Sequence, residues 1–244
     1  MFLSDTIDSL LKVIYPEACA ICGARCHSLG RYVCWECLRK VEYHRVDSFC
    51  ERCGLSFEPP IPMPATCHVC KETPPAFDKA RSAVHFRGVV KELIVEFKYH
   101  SAMWLTQDLT NLLEANVRHH YDHGEAFDAV CPVPLHPTKQ RARGYNQAEL
   151  LAGELARRLG LESFPNILKR TRNTETQTHK TAVERRANIH GIFEVNPQWM
   201  PWLRDRRILM VDDVMTTGST LNEAAKTLKA AGVSTVLCAT VARG

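Results

Sequence analysis

No stretch of this chain approaches the ~20 consecutive apolar residues that a membrane-spanning helix needs, so membrane insertion is not expected. The opening segment, MFLSDTIDSLLKVIYPE, lacks the basic start and small-residue cleavage site of a secretory signal, and carries Asp5 and Asp8 instead. Its apolar residues Leu3, Ile7, Leu10, Leu11 and Ile14 fall at helical spacing, which predicts a short amphipathic helix on a cytoplasmic protein. Internal repeats and low-complexity tracts are absent. So are the lysine-bearing phosphate loop GxxxxGK[ST] and the dinucleotide fingerprint GxGxxG. A net charge of +4 is too small to imply a nucleic-acid partner by itself. Aromatic residues make up 8%, and Tyr99, Trp104 and Tyr145 are too scattered to spell out the stacking platform that single-stranded DNA favours.

What is present is unevenly distributed. A chain of 244 residues can bury one large domain and carry a small module besides. Residues 1–75 hold eight Lys/Arg against nine Asp/Glu, whereas residues 139–190 hold eleven against five. That basic segment faces something anionic, or is a solvated arm. Nine of the eleven cysteines precede residue 71, and eight form CxxC pairs: Cys19/Cys22, Cys34/Cys37, Cys50/Cys53 and Cys67/Cys70. In a reducing compartment this pattern favours metal over disulfides.

A CxxC turn puts two thiolates on one side of a tight knuckle, and two knuckles complete a tetrahedron around Zn²⁺. Loops of eleven, twelve and thirteen residues separate consecutive pairs, as in zinc ribbons, so about two zinc ions are expected. Pairing first with second and third with fourth is simplest; an interleaved pairing satisfies the spacing too, and Cys26 and His27 are alternative ligands for the first site. Gly23 and Gly54 follow their knuckles, where a positive φ is often required. Closed four-cysteine sites leave no position for substrate and are read as structural. Cys131 and Cys238 lie in apolar stretches and read as small buried hydrophobes. A proline-rich run leads to an expected boundary, giving residues 1–75 as a helix plus a double four-cysteine zinc module and 76–244 as the larger domain.

In the larger domain strands and helices alternate. KARSAVHF, FDAVCPVPL, GIFEV, RRILMVDDV and STVLCATVA read as strands; GVVKELIVEFKYH, MWLTQDLTNLLEANVRHHY, GYNQAELLAGELARRLG and STLNEAAKTLKAAG read as helices. Continuous apolar strands alternating with helices imply an α/β fold, a parallel sheet covered on both faces. His119, His120 and His123 read as a polar helix end, and Arg157 and Arg158 as solvated surface.

The stretch ILMVDDVMTTGST, residues 208–220, carries the chemistry. It runs from a buried strand into two aspartates and then a hydroxyl-rich turn that opens a helix, at the strand end where open α/β sheets bind ligands. A helix amino-terminus offers unpaired N–H groups to a phosphate. Gly218 would let the backbone approach it, with Thr216, Thr217, Ser219 and Thr220 adding hydroxyl donors. Asp212 and Asp213 would repel phosphate, but two carboxylates suit adjacent sugar hydroxyls. A ribose 5-phosphate satisfies both halves. Caps of this composition occur at many strand-to-helix turns, yet two aspartates flush against a buried strand are costly without a partner.

VDDVMTTGST resembles the phosphoribosyl-pyrophosphate motif of type I phosphoribosyltransferases. CPVPLHPTKQRARGYNQAELLA, FKYH and TETQTHKTAVERRANIHGIF resemble, more narrowly, the ComF (competence protein F) family, which also carries an amino-terminal zinc module. The resemblance covers nearly the whole chain and implies a type I phosphoribosyltransferase fold with a zinc-ribbon module. It implies that Asp212 and Asp213 hold the ribose hydroxyls, that residues 216–220 hold the 5-phosphate, and that Lys139, Arg141, Arg143, Asn146 and Gln147 lie on the pyrophosphate side. Lys98 matches a family lysine near the same pocket, and with Arg141 and the aspartates completes the implied catalytic set. Residues 174–188 match the flexible loop of type I sites, with Gln177, Arg186 and Asn188 at pattern positions. His179 and Lys180 depart from the small residue and leucine usual after Gln-Thr. The implied ligand is phosphoribosyl pyrophosphate with magnesium, and the implied reaction is transfer to an unnamed nitrogenous acceptor. The family name implies a role in natural transformation and DNA uptake, with single-stranded DNA and DNA-uptake proteins as partners. A non-catalytic DNA-binding factor and a regulator that senses phosphoribosyl pyrophosphate are the alternatives.

Overall fold

The computed structural model describes residues 18–26, 31–121, 127–172 and 191–244. The predicted amino-terminal helix and the loop residues Gln177, Arg186 and Asn188 lie outside these, as do His27, His123, His179 and Lys180. In chain order the elements are α1 (Trp35–Leu38), α2 (His68–Glu72), β1 (Lys79–His85), α3 (Gly88–Tyr99), α4 (Thr106–Tyr121), β2 (Ala129–Pro132), α5 (Pro137–Arg143), α6 (Gln147–Leu159), β3 (Leu168–Arg170), β4 (Phe193–Val195), α7 (Met200–Leu203), β5 (Arg207–Met215), α8 (Ser219–Ala230) and β6 (Thr235–Arg243).

Four strands form a parallel sheet in the order β1-β6-β5-β2. Its apolar runs are unbroken because both faces are covered. Successive side chains point to opposite faces. On β5, Leu209 and Val211 therefore join Leu93, Phe97, Leu113 and Leu151 under α3, α4 and α6. Ile208 and Met210 join Leu221, Ala225 and Leu228 under α8. Cys131 and Cys238 are both fully buried in that second cluster, as expected of small hydrophobes.

The GIFEV strand departs from expectation. It lies outside the main sheet, as β4 in a separate antiparallel pair with β3. With only three residues and a Leu-Lys-Arg sequence, β3 carried no periodic signal. The basic loop after β2 also proves to be helical. His136 Nδ1 accepts from Thr138 N, Pro137 supplies a first residue that needs no N–H partner, and left-handed Gly144 ends α5. Before α4, residues 103–105 form a 3-10 turn, set off from α3 by Ser101 at φ 55°.

The cysteine-rich segment covers the open edge of β1. Tyr43 bridges Val84 antiparallel, His85 N donates to Glu42 O at 2.8 Å, and Ala80 N donates to Arg52 O at 2.8 Å. The backbone groups that an edge strand would leave to solvent or to another chain are thus paired internally. Among the described residues no helix is long and apolar enough to cross a membrane.

Candidate functional site

The thiols assemble as two consecutive groups, Cys19/Cys22/Cys34/Cys37 and Cys50/Cys53/Cys67/Cys70, each with its sulfurs within 4.8 Å of one another. Cys22 and Cys34 sulfurs are 3.6 Å apart, Cys53 and Cys67 sulfurs 3.8 Å. Bonds of ~2.3 Å to a tetrahedral Zn²⁺ require sulfur separations of about 3.8 Å, so the geometry fits the ion. Cys34 N faces Cys19 Sγ at 3.4 Å and Cys67 N faces Cys50 Sγ at 3.3 Å, donors suited to thiolate. Cys26 is buried but belongs to neither group. Gly54 meets two demands at once: its φ is +70°, and a Cβ there would lie 2.6 Å from Ala80 O.

At the carboxyl end of β5 the two-residue pleat sends adjacent aspartates to opposite faces. Asp213 follows Leu209 and Val211 toward α3, where Lys98 Nζ donates to its Oδ1 at 2.8 Å. Burial acts to lower the Lys98 pKa, but the charges of Asp213 and Asp212 outweigh it and hold the ammonium above its ordinary value. Asp212 takes the face of Met210. Burial and the neighbouring Asp213 push its carboxyl up to about 7, although Lys98, the Asp213 N–H and Arg170 pull the other way. Its Oδ1 accepts from Asp213 N at 2.8 Å. One acid thus has a firm counter-charge, and the other lies poised near neutrality.

Three cations gather nearby. On α5, Lys139 and Arg143 are four residues apart and share a face, whereas Arg141, two positions on, is exposed on the other side. Arg143 sits 5.0 Å over the Tyr99 ring and donates to Gln147 Oε1 at 3.0 Å. Gln147 is buried, and Asn146 caps α6 by accepting from Ala148 N at 3.1 Å. The third cation, Arg170 on β3, was missed in the sequence because a basic residue in so short a strand has no pattern to mark it. Its guanidinium lies 5.7 Å over Phe193 and interacts with Asp212. Burial, Arg170 and Arg143 together hold the Lys139 ammonium below its ordinary pKa. Crowded cations of this kind gain from an anion placed among them.

The turn from residue 216 to 220 completes the arrangement. Gly218 adopts φ +76° and caps α8, and a Cβ there would fall 2.5 Å from Met215 Cε. Thr217 and Ser219 hydroxyls are 2.8 Å apart; Thr216 and Thr217 are exposed, and Ser219 and Thr220 are half-buried. The geometry brings together Lys98, Asp212, Asp213, Lys139 and Arg143 with Arg170, leaves Arg141 solvent-exposed on α5, and gives Asn146 a capping role.

Sheet, acid pair and thiol groups together define a phosphoribosyltransferase-type domain joined to a double zinc ribbon. The description "Phosphoribosyl transferase domain" matches residues 146–244, and "Double zinc ribbon domain" matches residues 10–72. The chain is 33% identical to Competence protein F of Haemophilus influenzae over 222 residues, 89% of this chain and 93% of that one. It is 30% identical to the DNA utilization protein YhgH of Salmonella typhimurium, covering 93% of this chain and 98% of that one. It is 27% identical to Competence protein ComFC of Bacillus subtilis, covering 83% and 81%. The chain belongs to the ComF family. Among solved structures, the glutamine phosphoribosylpyrophosphate amidotransferase from B. subtilis aligns with 59% of this chain at 17% identity and TM-score 0.38, and this chain spans 30% of its length.

Proposed function

We propose that the chain binds magnesium phosphoribosyl pyrophosphate at the carboxyl end of β5 and transfers its ribose 5-phosphate to a nitrogenous acceptor. The relatives' names state competence and DNA utilization, and we infer from them a setting in DNA uptake, on its cytoplasmic side. The observation that carries this reading is the order of groups along one strand end. Two acids face the sheet's two sides, the α8 amino-terminus follows them directly, Arg170 interacts with Asp212, and Lys139 stands close enough to Arg170 and Arg143 to feel both charges.

In this reading the 5-phosphate sits at the Gly218 turn, among the first N–H groups of α8. Asp212 and Asp213 accept hydrogen bonds from the ribose hydroxyls. The cation group receives the pyrophosphate, and stabilises it as charge leaves the anomeric carbon. The ligand's phosphate oxygens and Asp212 are hard donors suited to Mg²⁺, which supplies further charge neutralisation at the leaving group. Lys98, 2.8 Å from Asp213 Oδ1, holds that carboxylate oriented for its hydroxyl. Calorimetric titration with phosphoribosyl pyrophosphate tests the site. Binding that requires Mg²⁺ and disappears in Asp212→Asn/Asp213→Asn is expected; unchanged affinity in the double variant would sink the assignment.

A second reading rests on a separate feature. Tyr99 is 63% exposed beneath Arg143, and Trp104, 44% exposed, packs on Tyr32 at 4.6 Å between ring centroids. Exposed rings beside a cation suit unstacked bases. Salt-sensitive binding of single-stranded DNA, with no response to the sugar phosphate, would favour a non-catalytic DNA-binding role.

A further inference from the structure

The second thiol group and the turn before α8 are joined through one side chain. Arg243 stands at the end of β6, in register with Met215 on β5 and His85 on β1. Its Nη1 donates to the carbonyl oxygen of Cys53, and its Nη2 lies 3.7 Å from Cys53 Sγ. The same Nη1 is 3.5 Å from Met215 Sδ. Met215 in turn floors the turn, because its Cε occupies the space into which a side chain on Gly218 would project.

A second tie runs beside the first. Ala76 N, just past the last cysteine pair, donates to Asn222 Oδ1 at 2.7 Å, and Asn222 N, in the first turn of α8, donates to Gly218 O at 2.8 Å. Cys50, Cys53, Cys67 and Cys70 share an apolar cluster with Met215 and Leu221. The first thiol group has other neighbours. Cys19 and Cys37 pack with residues of α3 and α4, and the polar link from that region runs from Tyr32 N to Asp108 Oδ2, 2.9 Å away on α4.

A closed centre of four thiolates carries a net negative charge and performs no chemistry, so its reach beyond itself is electrostatic and mechanical. Arg243 presents a rigid planar fork to that charge, to a knuckle carbonyl and to Met215 together. If the Cys53 knuckle opens, the fork loses its anchor and Met215 loses its backing against the left-handed glycine.

We propose that the second zinc centre clamps the turn at residues 216–220 in its binding shape, with Arg243 as the positioning residue that transmits the constraint. Occupancy of Cys50/Cys53/Cys67/Cys70, and not of the first centre, then sets affinity for a phosphate at the turn. The affinity half rests on the function proposed above, whereas the mechanical half does not.

Amide hydrogen exchange on the full chain separates the two. Arg243→Gln, with a metal assay confirming that both zinc ions remain, is expected to speed exchange at residues 217–222 and leave residues 106–121 unchanged. Arg243→Lys should restore part of the protection. Cys70→Ser should reproduce the effect, and Cys22→Ser should not. Ribose 5-phosphate should bind about five-fold more weakly to Arg243→Gln while pyrophosphate binding holds. Unaltered exchange at the turn in Arg243→Gln overturns the proposal, and that variant decides alone if Cys70→Ser does not fold. Failure of the parent protein to bind ribose 5-phosphate would refute the functional reading, while exchange would still decide the coupling.

Discussion

Like charges are gathered in two regions of this molecule, and they are handled differently. In the ribbons, four thiolates converge within 4.8 Å from two knuckles, a complete set of ligands for one divalent ion. At the end of β5, two carboxylates adjoin and only one is firmly countered, Asp213 by Lys98 at 2.8 Å. The other, Asp212, is held near neutrality by burial and by its neighbour. A complete ligand set serves folding; a charge left without a firm partner gains when a ligand arrives.

The largest break in this comparison comes from taking the metal away. Structural zinc in small ribbons supplies ~10–16 kcal/mol of folding free energy, and a segment this short in aliphatic residues has little to replace it. The purified protein should hold about two zinc ions per chain, and a chelator strong enough to strip them should unfold the ribbons, seen together by metal release and circular dichroism. An assay returning one ion or none would remove at least one centre.

A smaller and more discriminating break separates the two acids. Asp213→Asn leaves the Lys98 ammonium, 20% exposed, without its counter-charge and should cost about 3 kcal/mol. Asp212→Asn should do the opposite at alkaline pH. A carboxyl whose pKa rises from 3.8 to about 7 on folding binds more protons folded than unfolded, so stability falls as pH rises through that window. Removing it should stabilise the chain by roughly 4 kcal/mol at pH 8 and by little at pH 4, read from denaturant midpoints. Destabilisation by both variants at pH 8 would mean that the two acids are equivalent.

Much of this architecture could be read from the chain because its signals are local. The CxxC spacing marked both ribbons, and the apolar run before Asp212 marked a buried strand. What escaped was tertiary. Three-residue β3 gains its place only by pairing with β4, and with it Arg170 reaches Asp212. The Lys98–Asp213 contact follows from strand pleating, but only once the chain order of the sheet puts α3 on that face. Gly218 was read as a place for phosphate to approach; the structure adds Met215 beneath it as a second reason for glycine.

Where counter-charge comes from side chains on the surface, the comparison reaches its lower limit. Glu154 on α6 accepts from two arginines, and its carboxyl is drawn down to about 2, first by Arg157 and against burial, then by Arg158. Both arginines had read as solvated surface, which suits only one. Arg157, with its side chain 71% exposed, pairs with Glu154. Arg158, 16% exposed, also reaches Asn111 at 2.7 Å and Glu114 at 3.1 Å and so ties α6 to α4. Arg157→Ala should therefore leave stability nearly unchanged, and Arg158→Ala should cost about 1–2 kcal/mol by taking the donor from Asn111 Oδ1 and Glu114 Oε2. That loss should be full above pH 4.5 and fade as pH falls toward 2, since a depressed carboxyl pKa contributes stability only while the group is ionised. Equal effects of the two variants would mean that burial does not separate them, and that the contrast between countered and exposed charge fails where it is weakest.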